Sequence, residues 1–487
     1  YSLLRRTLEC GRSYLGCRRP RALPYVIWTH TTMTFNSLAF VVFLPVVVAA
    51  YYLLPHRFRS SWLLLASSFF YAAFIPAYLL VLIALIVVDF FIAIRMENEQ
   101  DSQKKQWLLI IGIVSNLALL FFFKYLDFAS VNIAALAHTI GWNYEPTLLH
   151  LLLPLGLSFH TFQSLSYLIE VYRGKFAAER NLITYGLYVM FFPQLVAGPI
   201  ERPAHLLPEL TLPRTFSWNA ILEGAKLCLI GFFLKVVIAD RAALIVNAVY
   251  HDPSAFSGPA ILLAVILFAF QLYGDFAGYT LIARGSAAML GITLVENFRR
   301  PYLARTVGEF WQRWHISLSS WLRDYVYDPV IRLYKRVSLR ALYTAVIVTF
   351  LLSGVWHGAG WNFVFMGLWF GIVIALELAT RTLRGEIAER SGLAKRPELR
   401  AWLDRARTFG LVLIGWVFFR TPSLTSATAL AGGLFEGWEQ FLHTFNSFGI
   451  PAGEVVLTTL LAVSVIAVEY LMENKQELFA KGRSRIA

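Results

Sequence analysis

The sequence predicts an all-α protein, a polytopic bundle of membrane-spanning helices, on two observations. Of its 487 residues, 57% are hydrophobic and only 15% are charged, whereas soluble domains carry about 25% charged residues. Apolar runs that approach the length of a bilayer core also recur along the chain. We expect about eleven spans, and the clearest lie at 40–54, 79–94, 107–125, 261–272, 345–352, 363–378 and 455–470.

Basic residues outnumber acidic ones and give a net charge of +13. They fall mostly in short connections such as "HRFRS" and "FRRPYLAR". Basic loops of this kind mark the cytoplasmic side of a membrane, where they meet anionic lipids. The pattern therefore indicates membrane lipids as partners and no nucleic acid.

Common catalytic and metal-binding motifs are missing from the sequence. It has three cysteines and neither a CxxC nor an HExxH pattern, so we expect no metal site and no disulfide framework. A G-x-S-x-G elbow, a P-loop and a dinucleotide fingerprint are missing as well. Ionisable residues spread over several predicted helices keep a proton-coupled transporter open as an alternative class.

Residues 1–32 differ in composition from the rest of the chain. They are rich in arginine and nearly free of acids, and they lack the apolar core and cleavage site of a signal peptide. We interpret them as an N-terminal extension, whose presence in the mature protein the sequence leaves open, ahead of a single membrane domain over 33–487. The basic flank after the first span predicts an outside N-terminus, and the basic end "KGRSRIA" predicts a cytoplasmic C-terminus.

The segment 309–327, "EFWQRWHISLSSWLRDYVY", has helical periodicity. We expect an amphipathic helix that lies in the interface or re-enters the bundle, or else serves as a plain interfacial anchor. Its aromatic face would hold Trp311, Trp314, His315, Leu318, Leu322 and Tyr325, and its polar face Arg313, Ser317, Ser320 and Asp324.

Several ionisable residues fall within or beside apolar runs, where they are costly unless they face a partner or a cavity. We expect Lys124, Asp127 and Glu170 to snorkel at span ends, and His160, on a packing helix of small residues, to hydrogen-bond across to a neighbouring helix. Asp275 lies between glycines in "QLYGDFAGYT", a pattern that suggests a broken helix beside a cavity or a structural role. Lys235 and Asp240 are spaced for a local ion pair; the remaining candidates are Asp89, His315, His357 and Glu377.

His357 stands out within "SGVWHGAGWN". The glycines around it allow close backbone approach or a helix break. A dry pocket would keep the imidazole neutral, as a general base for a hydroxyl must be, but a core-packing histidine remains an equal alternative from the residues alone. The neighbours that would form the pocket are Gly354, Gly358, Gly360, Trp356, Trp361 and Asn362.

Two long motifs resemble the membrane-bound O-acyltransferase family. They are "ENFRRPYLARTVGEFWQRWHISLSSWLRDYVYDP" and, some twenty residues later, "LLSGVWHGAGWNFVFMGLWFG". The likeness extends over "LLPLGLSFHTFQSLSYLIEVYRG", "FFPQLVAGPIERP" and "GLVLIGWVFFRTPSLTSA", and is closest to the bacterial branch that acetylates exported polysaccharides such as alginate.

The resemblance implies helices around a central funnel that meets a tunnel, with acyl transfer from a thioester to a hydroxyl. His357 takes the place of the family's signature histidine, and His315 that of its second motif histidine. The donor would be acyl-CoA or an acyl carrier protein thioester, with no tightly bound cofactor. The tunnel or donor site would include Trp314, Trp356, Trp361, Asn362 and Asp275, with Arg323, Asp324 and Ser317 in support.

The acceptor implied by the resemblance is a sugar hydroxyl or a periplasmic partner enzyme. The implied location of the protein is the bacterial inner membrane. Two departures bear on that acceptor. Leu281, in "FAGYTLIARG", replaces a carboxylate that the family commonly carries, and "VIRLYKRVSLR" replaces a short loop. D-alanyl transfer and peptidoglycan O-acetylation therefore stay open, as does a transporter of an acyl or glycan intermediate without chemistry.

Overall fold

A computed structural model describes residues 33–195, 198–334, 336 and 338–483. The predicted extension over 1–32 lies outside these residues. Within the described ranges the regular structure is entirely helical, which confirms the all-α class.

The described residues of the first half of the chain form eleven α-helices. A π-helical segment, Phe121–Tyr125, joins α4 to α5, and a second, Phe233–Ala239, joins α10 to α11. The helices are α1 Leu38–Leu53, α2 His56–Ala72, α3 Pro76–Asn98, α4 Ser102–Leu120, α5 Leu126–Thr139, α6 Leu157–Tyr172, α7 Leu182–Met190, α8 Phe192–Leu195, α9 Pro203–Thr211, α10 Trp218–Phe232 and α11 Asp240–His251.

The second half contributes ten more α-helices. Short 3₁₀ turns occupy Pro253–Ala255, Pro301–Leu303, Leu393–Lys395 and Trp438–Asn446, and a third π-helical segment spans Arg323–Tyr327. The helices are α12 Gly258–Met289, α13 Val307–Arg313, α14 Ile316–Leu322, α15 Asp328–Arg332, α16 Leu339–His357, α17 Trp361–Ala379, α18 Arg381–Arg390, α19 Pro397–Arg420, α20 Leu424–Gly433 and α21 Ala452–Arg483.

Six helical stretches of the described chain are long and apolar enough to cross a membrane. Six of the seven predicted runs fall on them, and the run 40–54 falls on α1, which is apolar but shorter. The protein is therefore a multi-pass membrane protein. The six stretches are Pro76–Asn98, Ser102–Thr139, Gly258–Met289, Leu339–His357, Trp361–Ala379 and Ala452–Asn474.

Helices α16 and α17 form a tightly packed hairpin around the glycines of "SGVWHGAGWN". Helix α16 ends at His357, Gly358 follows in an extended conformation, and α17 begins after Gly360. A Cβ at Gly354 would lie 2.2 Å from the carbonyl oxygen of Phe363. The predicted close approach and helix break are both confirmed.

The predicted break at Asp275 is wrong, because α12 runs without interruption from Gly258 to Met289. Its glycines instead let two backbones pack closely, since a Cβ at Gly274 would lie 2.7 Å from the Leu234 carbonyl oxygen. Small residues at a helix interface allow this kind of approach. The "QLYGDFAGYT" pattern is therefore a packing face and not a cavity wall made of broken helix.

The single amphipathic helix expected over 309–327 is also wrong. The chain forms α13, a turn at Trp314 and His315, then α14 and the π-helical segment. His315 has φ 44°, a left-handed conformation that ends one helix and starts another. Ser317, expected on the polar face, is buried.

We predict that Gly367→Ala destabilises the protein by about 1–3 kcal/mol through overpacking of the hairpin. The added Cβ would lie 2.4 Å from the carbonyl oxygen of Phe350 on α16, which is backbone and cannot rotate away. Gly410→Ala in α19 is the matched control, because nothing lies within 4 Å of its added Cβ. Thermal unfolding in detergent measures both; equal melting temperatures would contradict the packing described here.

Candidate functional site

His357 is the last residue of α16 and lies at the mouth of the α16–α17 turn. Its ring is partly exposed and contacts aromatic rings edge-on. The ring centroids lie 4.9 Å from Trp356 and 5.5 Å from Phe419. The imidazole thus sits in an apolar, aromatic surrounding at a break between two predicted spans.

His315 lies in the left-handed turn between α13 and α14, and hydrogen bonds from outside the turn hold it there. The Asn297 carbonyl oxygen accepts from the Ile316 amide at 2.9 Å, and the Asn297 side-chain oxygen accepts from the Ser317 amide at 3.1 Å. The Ser317 hydroxyl in turn accepts from the Ile200 amide at 2.9 Å. These bonds stabilise a backbone conformation that costs a non-glycine residue free energy.

Trp356 lies between the two histidines. Its ring centroid is 6.1 Å from that of His315 and 4.9 Å from that of His357. The pairing of His315 with His357, expected from the resemblance, is therefore present as a spatial cluster built around one indole.

The His315 imidazole is almost completely buried, with 1% of its surface exposed. Phe276 packs edge-on against it at 4.6 Å, and Phe159 stacks at 6.1 Å. Neither ring nitrogen hydrogen-bonds to any group in the described part of the chain. Because buried polar atoms are normally paired, the two unpaired nitrogens leave this imidazole with unused hydrogen-bonding capacity.

Lys124 reaches the same cluster from the π-helical segment between α4 and α5. Its ammonium donates to the Trp356 carbonyl oxygen and, at 3.4 Å, to the Ser158 hydroxyl. Tyr125, the next residue, donates its hydroxyl to the Val355 carbonyl oxygen at 2.7 Å. These two side chains satisfy carbonyl groups that the end of an α-helix leaves unpaired.

The assignment of Lys124 as a snorkelling residue at a span end is wrong. The helical stretch continues past it to Thr139, so Lys124 lies well inside the stretch and its charge is directed at α16. The sequence signal was the single lysine within "LLFFFKYLDFASVNIAALA", an apolar stretch that continues on both sides. Asp127 lies three residues further along the same stretch, in the first turn of α5, so its assignment to a span end is wrong as well; it accepts from the amides of Leu149 and His150.

Trp356 and Trp361 were both expected to wall the pocket, but only Trp356 does. Trp361 is 52% exposed and donates its indole N–H to Asn132 on α5 at 2.9 Å. Asn362 is buried and donates to the carbonyl oxygens of Phe418 and Thr421. It ties the start of α17 to the end of α19 and so places Phe419 beside His357.

Asp275 and Trp314 lie next to the site without entering it. Lys235 pairs with Asp275 at 2.6 Å and with Asp240 at 2.7 Å, which confirms the expected ion pair and adds a second acid to it. Trp314 is buried among Tyr273, Phe298, Tyr302, Phe310 and Trp416.

The residues expected to support the site have identifiable contacts. Asp324 accepts from Arg202 at 3.0 Å, and its neighbour Arg323 is largely exposed and pairs with it. His160 is buried on α6, where its Nε2 lies against Gly156. Neither of its ring nitrogens hydrogen-bonds to a group in the described part of the chain, so the structure does not show the predicted bond across to a neighbouring helix.

Asn297 has an essential geometric role that sequence reasoning did not find. It is completely buried and anchors both residues that follow His315. The sequence signal for Asn297 was its place within the longer family motif, two residues before "RRPYLAR". Only the fold brings it next to the turn eighteen residues later.

The chain is similar to proteins of a known family of membrane enzymes. The model of the membrane-bound O-acyltransferase family matches residues 176–391. The probable alginate O-acetylase AlgI of Azotobacter vinelandii is 37% identical over 440 residues, which cover 90% of this chain and 84% of that protein. The peptidoglycan O-acetyltransferase of Helicobacter pylori is 34% identical, over 82% of this chain and 80% of its own length.

A more distant similarity is to the teichoic acid D-alanyltransferase of Bacillus subtilis, at 29% identity over 45% of this chain and 58% of that protein. The fold defines a multi-pass membrane protein. The chain belongs to the membrane-bound O-acyltransferase family. It is an O-acyltransferase.

We predict that Lys124→Met lowers acyl-transfer turnover by about tenfold or more. The change removes a charge-assisted hydrogen bond to the Trp356 carbonyl, an interaction that contributes about 1.5–3 kcal/mol, and releases the end of α16 next to His357. Turnover of a thioester by the protein in detergent measures the effect. Lys226→Met, which removes an exposed lysine paired with Glu223, should keep full turnover; equal rates in the two variants would exclude this role.

Proposed function

We propose that this protein transfers an acetyl group from a cytosolic thioester to a hydroxyl of an exported polysaccharide, or to a serine of a periplasmic partner enzyme. The observation that carries the proposal is the pair of histidines around Trp356 in aromatic surroundings. The names of the similar proteins, an alginate O-acetylase and a peptidoglycan O-acetyltransferase, support a glycan as the final acceptor and acetyl as the acyl group.

In the proposed reaction, the acceptor hydroxyl oxygen attacks the carbonyl carbon of the thioester. The free ring nitrogen of His357 accepts the hydroxyl proton as the new C–O bond forms. The tetrahedral intermediate then expels the sulfur, and the proton passes from His357 to the leaving thiolate. The products are an O-acyl ester and a free thiol, and His357 returns to its neutral form.

His315 is proposed to stabilise the carbonyl oxygen during this step. A neutral imidazole has one N–H donor, and neither nitrogen of His315 is used by the described residues around it. A donor held rigidly in a water-poor site stabilises the developing negative charge without reorganisation. The left-handed turn and its hydrogen bonds to Asn297 supply that rigidity.

Lys124 supports the proposed role of His357 by holding the end of α16 in place. Its ammonium binds the carbonyl of the residue just before His357. A relay in which His357 itself carries the acyl group is the alternative chemistry.

The membrane arrangement is proposed as follows. Shorter apolar helices complete the bundle to about eleven spans, with α13 and α14 re-entering around a funnel and tunnel that give both sides access to the histidines. The location is the bacterial inner membrane, with the N-terminus outside and the C-terminus in the cytoplasm. The basic loops support this orientation.

We predict that His357→Ala lowers thioester turnover by about 10²–10⁴-fold, the contribution of a positioned base, whereas His160→Ala retains turnover. Acetyl-CoA consumption by purified protein with a hydroxyl acceptor measures both, and size-exclusion profiles check that each variant is folded. Unchanged turnover in His357→Ala would overturn the base assignment. A transporter would instead show uptake into liposomes that survives this substitution.

We predict that His315→Ala lowers the rate constant kcat by about 10²–10³-fold, the usual cost of removing an oxyanion donor. Because the bond strengthens only in the transition state, KM for the thioester should change much less than kcat. Steady-state kinetics at several donor concentrations separate the two. A rise in KM with unchanged kcat would assign His315 to ground-state binding instead.

A further inference from the structure

A cavity of about 320 Å³ lies at the end of α13 opposite the His315 turn. Helices α18 and α19 form its other walls, with apolar side chains of Ile387, Ala388 and Leu403 among its lining. We name it the arginine pocket for the charged residues that line it: Arg305, Arg381, Arg384, Arg400, Arg407 and Asp404.

The arginine pocket has an excess of positive charge. Asp404 is the acid in its lining, and it pairs with Arg407 at 3.0 Å and Arg400 at 3.9 Å. A second carboxylate, that of Glu377, lies outside the lining and 3.7 Å from Arg407. Two carboxylates cannot neutralise five guanidinium groups, so the cavity attracts anions.

Three of the five arginines have capacity for a ligand. Arg305 and Arg381 form no ion pair within the described ranges of the chain. Arg384 donates one N–H to the Glu377 carbonyl oxygen at 2.6 Å, and its buried Nε–H has no partner among the described groups. Guanidinium groups bind phosphate through paired, charge-assisted hydrogen bonds.

We infer that the arginine pocket binds the phosphate groups of the acyl donor, a coenzyme A nucleotide, and so anchors the donor for reaction at the histidines. This inference rests on the proposed function. The cavity has the volume of a small-molecule site, and it combines several cations with an apolar wall that a nucleoside can cover.

The position of the pocket relative to the histidines supports a donor site. Arg305 and Thr306 lie directly before α13, and the His315 turn directly follows it. Seven helical residues rise about 10 Å, a distance that an extended, thin pantetheine arm can cover. Glu377 accepts from the Val307 amide at 2.9 Å, which fixes the start of α13 to the pocket.

The positive charge of the surrounding segment indicates that the pocket lies on the cytoplasmic side of the membrane, where the donor is made. Helices α18 and α19 carry arginines at 381, 384, 390, 400, 405 and 407, and arginine-rich segments beside spans are typical of the cytoplasmic face. Coenzyme A thioesters are cytosolic. The pocket and its proposed ligand therefore meet on one side of the membrane.

Binding of free coenzyme A to the full-length protein in detergent tests the inference. We expect Arg305→Gln combined with Arg381→Gln to raise the Kd by about tenfold to a hundredfold, because two charge-assisted bonds are lost. The matched control combines Arg390→Gln with Arg396→Gln, which removes the same charge from the same segment outside the pocket lining. It should bind coenzyme A as the unmodified protein does.

A kinetic comparison excludes general damage to the fold. S-acetylpantetheine carries the same thioester without the nucleotide phosphates. In the pocket variant, the ratio of kcat/KM for acetyl-CoA to that for S-acetylpantetheine should fall by the same factor as binding. A ratio equal to that of the Arg390→Gln, Arg396→Gln control would overturn the inference, because the phosphates would then not bind these arginines.

Two other outcomes are informative. If the pocket variant keeps its affinity for coenzyme A but loses binding of a short-chain anionic phospholipid added in detergent, the pocket holds a lipid headgroup and the donor assignment fails. If the variant loses coenzyme A while His357→Ala retains both binding and turnover, the pocket assignment stands and the proposed reaction at His357 fails. Absence of saturable coenzyme A binding to the unmodified protein would also overturn the inference.

Discussion

The site depends on how helix α16 ends. A helix that stops inside a bundle leaves its last carbonyl groups without partners, and in a bilayer no water is present to satisfy them. Tyr125 and Lys124 supply those bonds, to the carbonyls of Val355 and Trp356. Both side chains come from the π-helical segment Phe121–Tyr125. With the end fixed, His357 and Trp356 are fixed as well.

The second histidine depends on a different kind of constraint. His315 has the left-handed backbone of a turn. Asn297 accepts hydrogen bonds from the two amides that follow His315. The Ser317 hydroxyl accepts another from the Ile200 amide. Aromatic rings then fill the space around the imidazole. The result is a polar group with unused hydrogen-bonding capacity in a packed apolar layer, which is the arrangement that electrostatic catalysis requires.

The sequence was sufficient for the helical membrane class, six long spans and the pairing of two histidine motifs, because these follow from hydropathy and from local motif spacing. It failed where the outcome depends on partners distant in the chain. Periodicity over 309–327 predicts one helix, but Asn297 and Ile200 stabilise a break within it. Glycines around Asp275 suggested a broken helix, although the neighbouring backbone of Leu234 explains them by close packing. Trp361 was predicted to line the pocket, but its indole N–H instead donates to Asn132 on α5.

Glu377 links the histidines to the charged surface of the protein. Its carboxylate accepts from the amides of Val307 and Gly308 at the start of α13 and faces Arg407 of the arginine pocket. An anion that binds Arg407 competes with Glu377 for the same guanidinium. The His315 turn lies at the opposite end of α13, so the carboxylate that faces Arg407 also fixes the start of the helix that leads to His315.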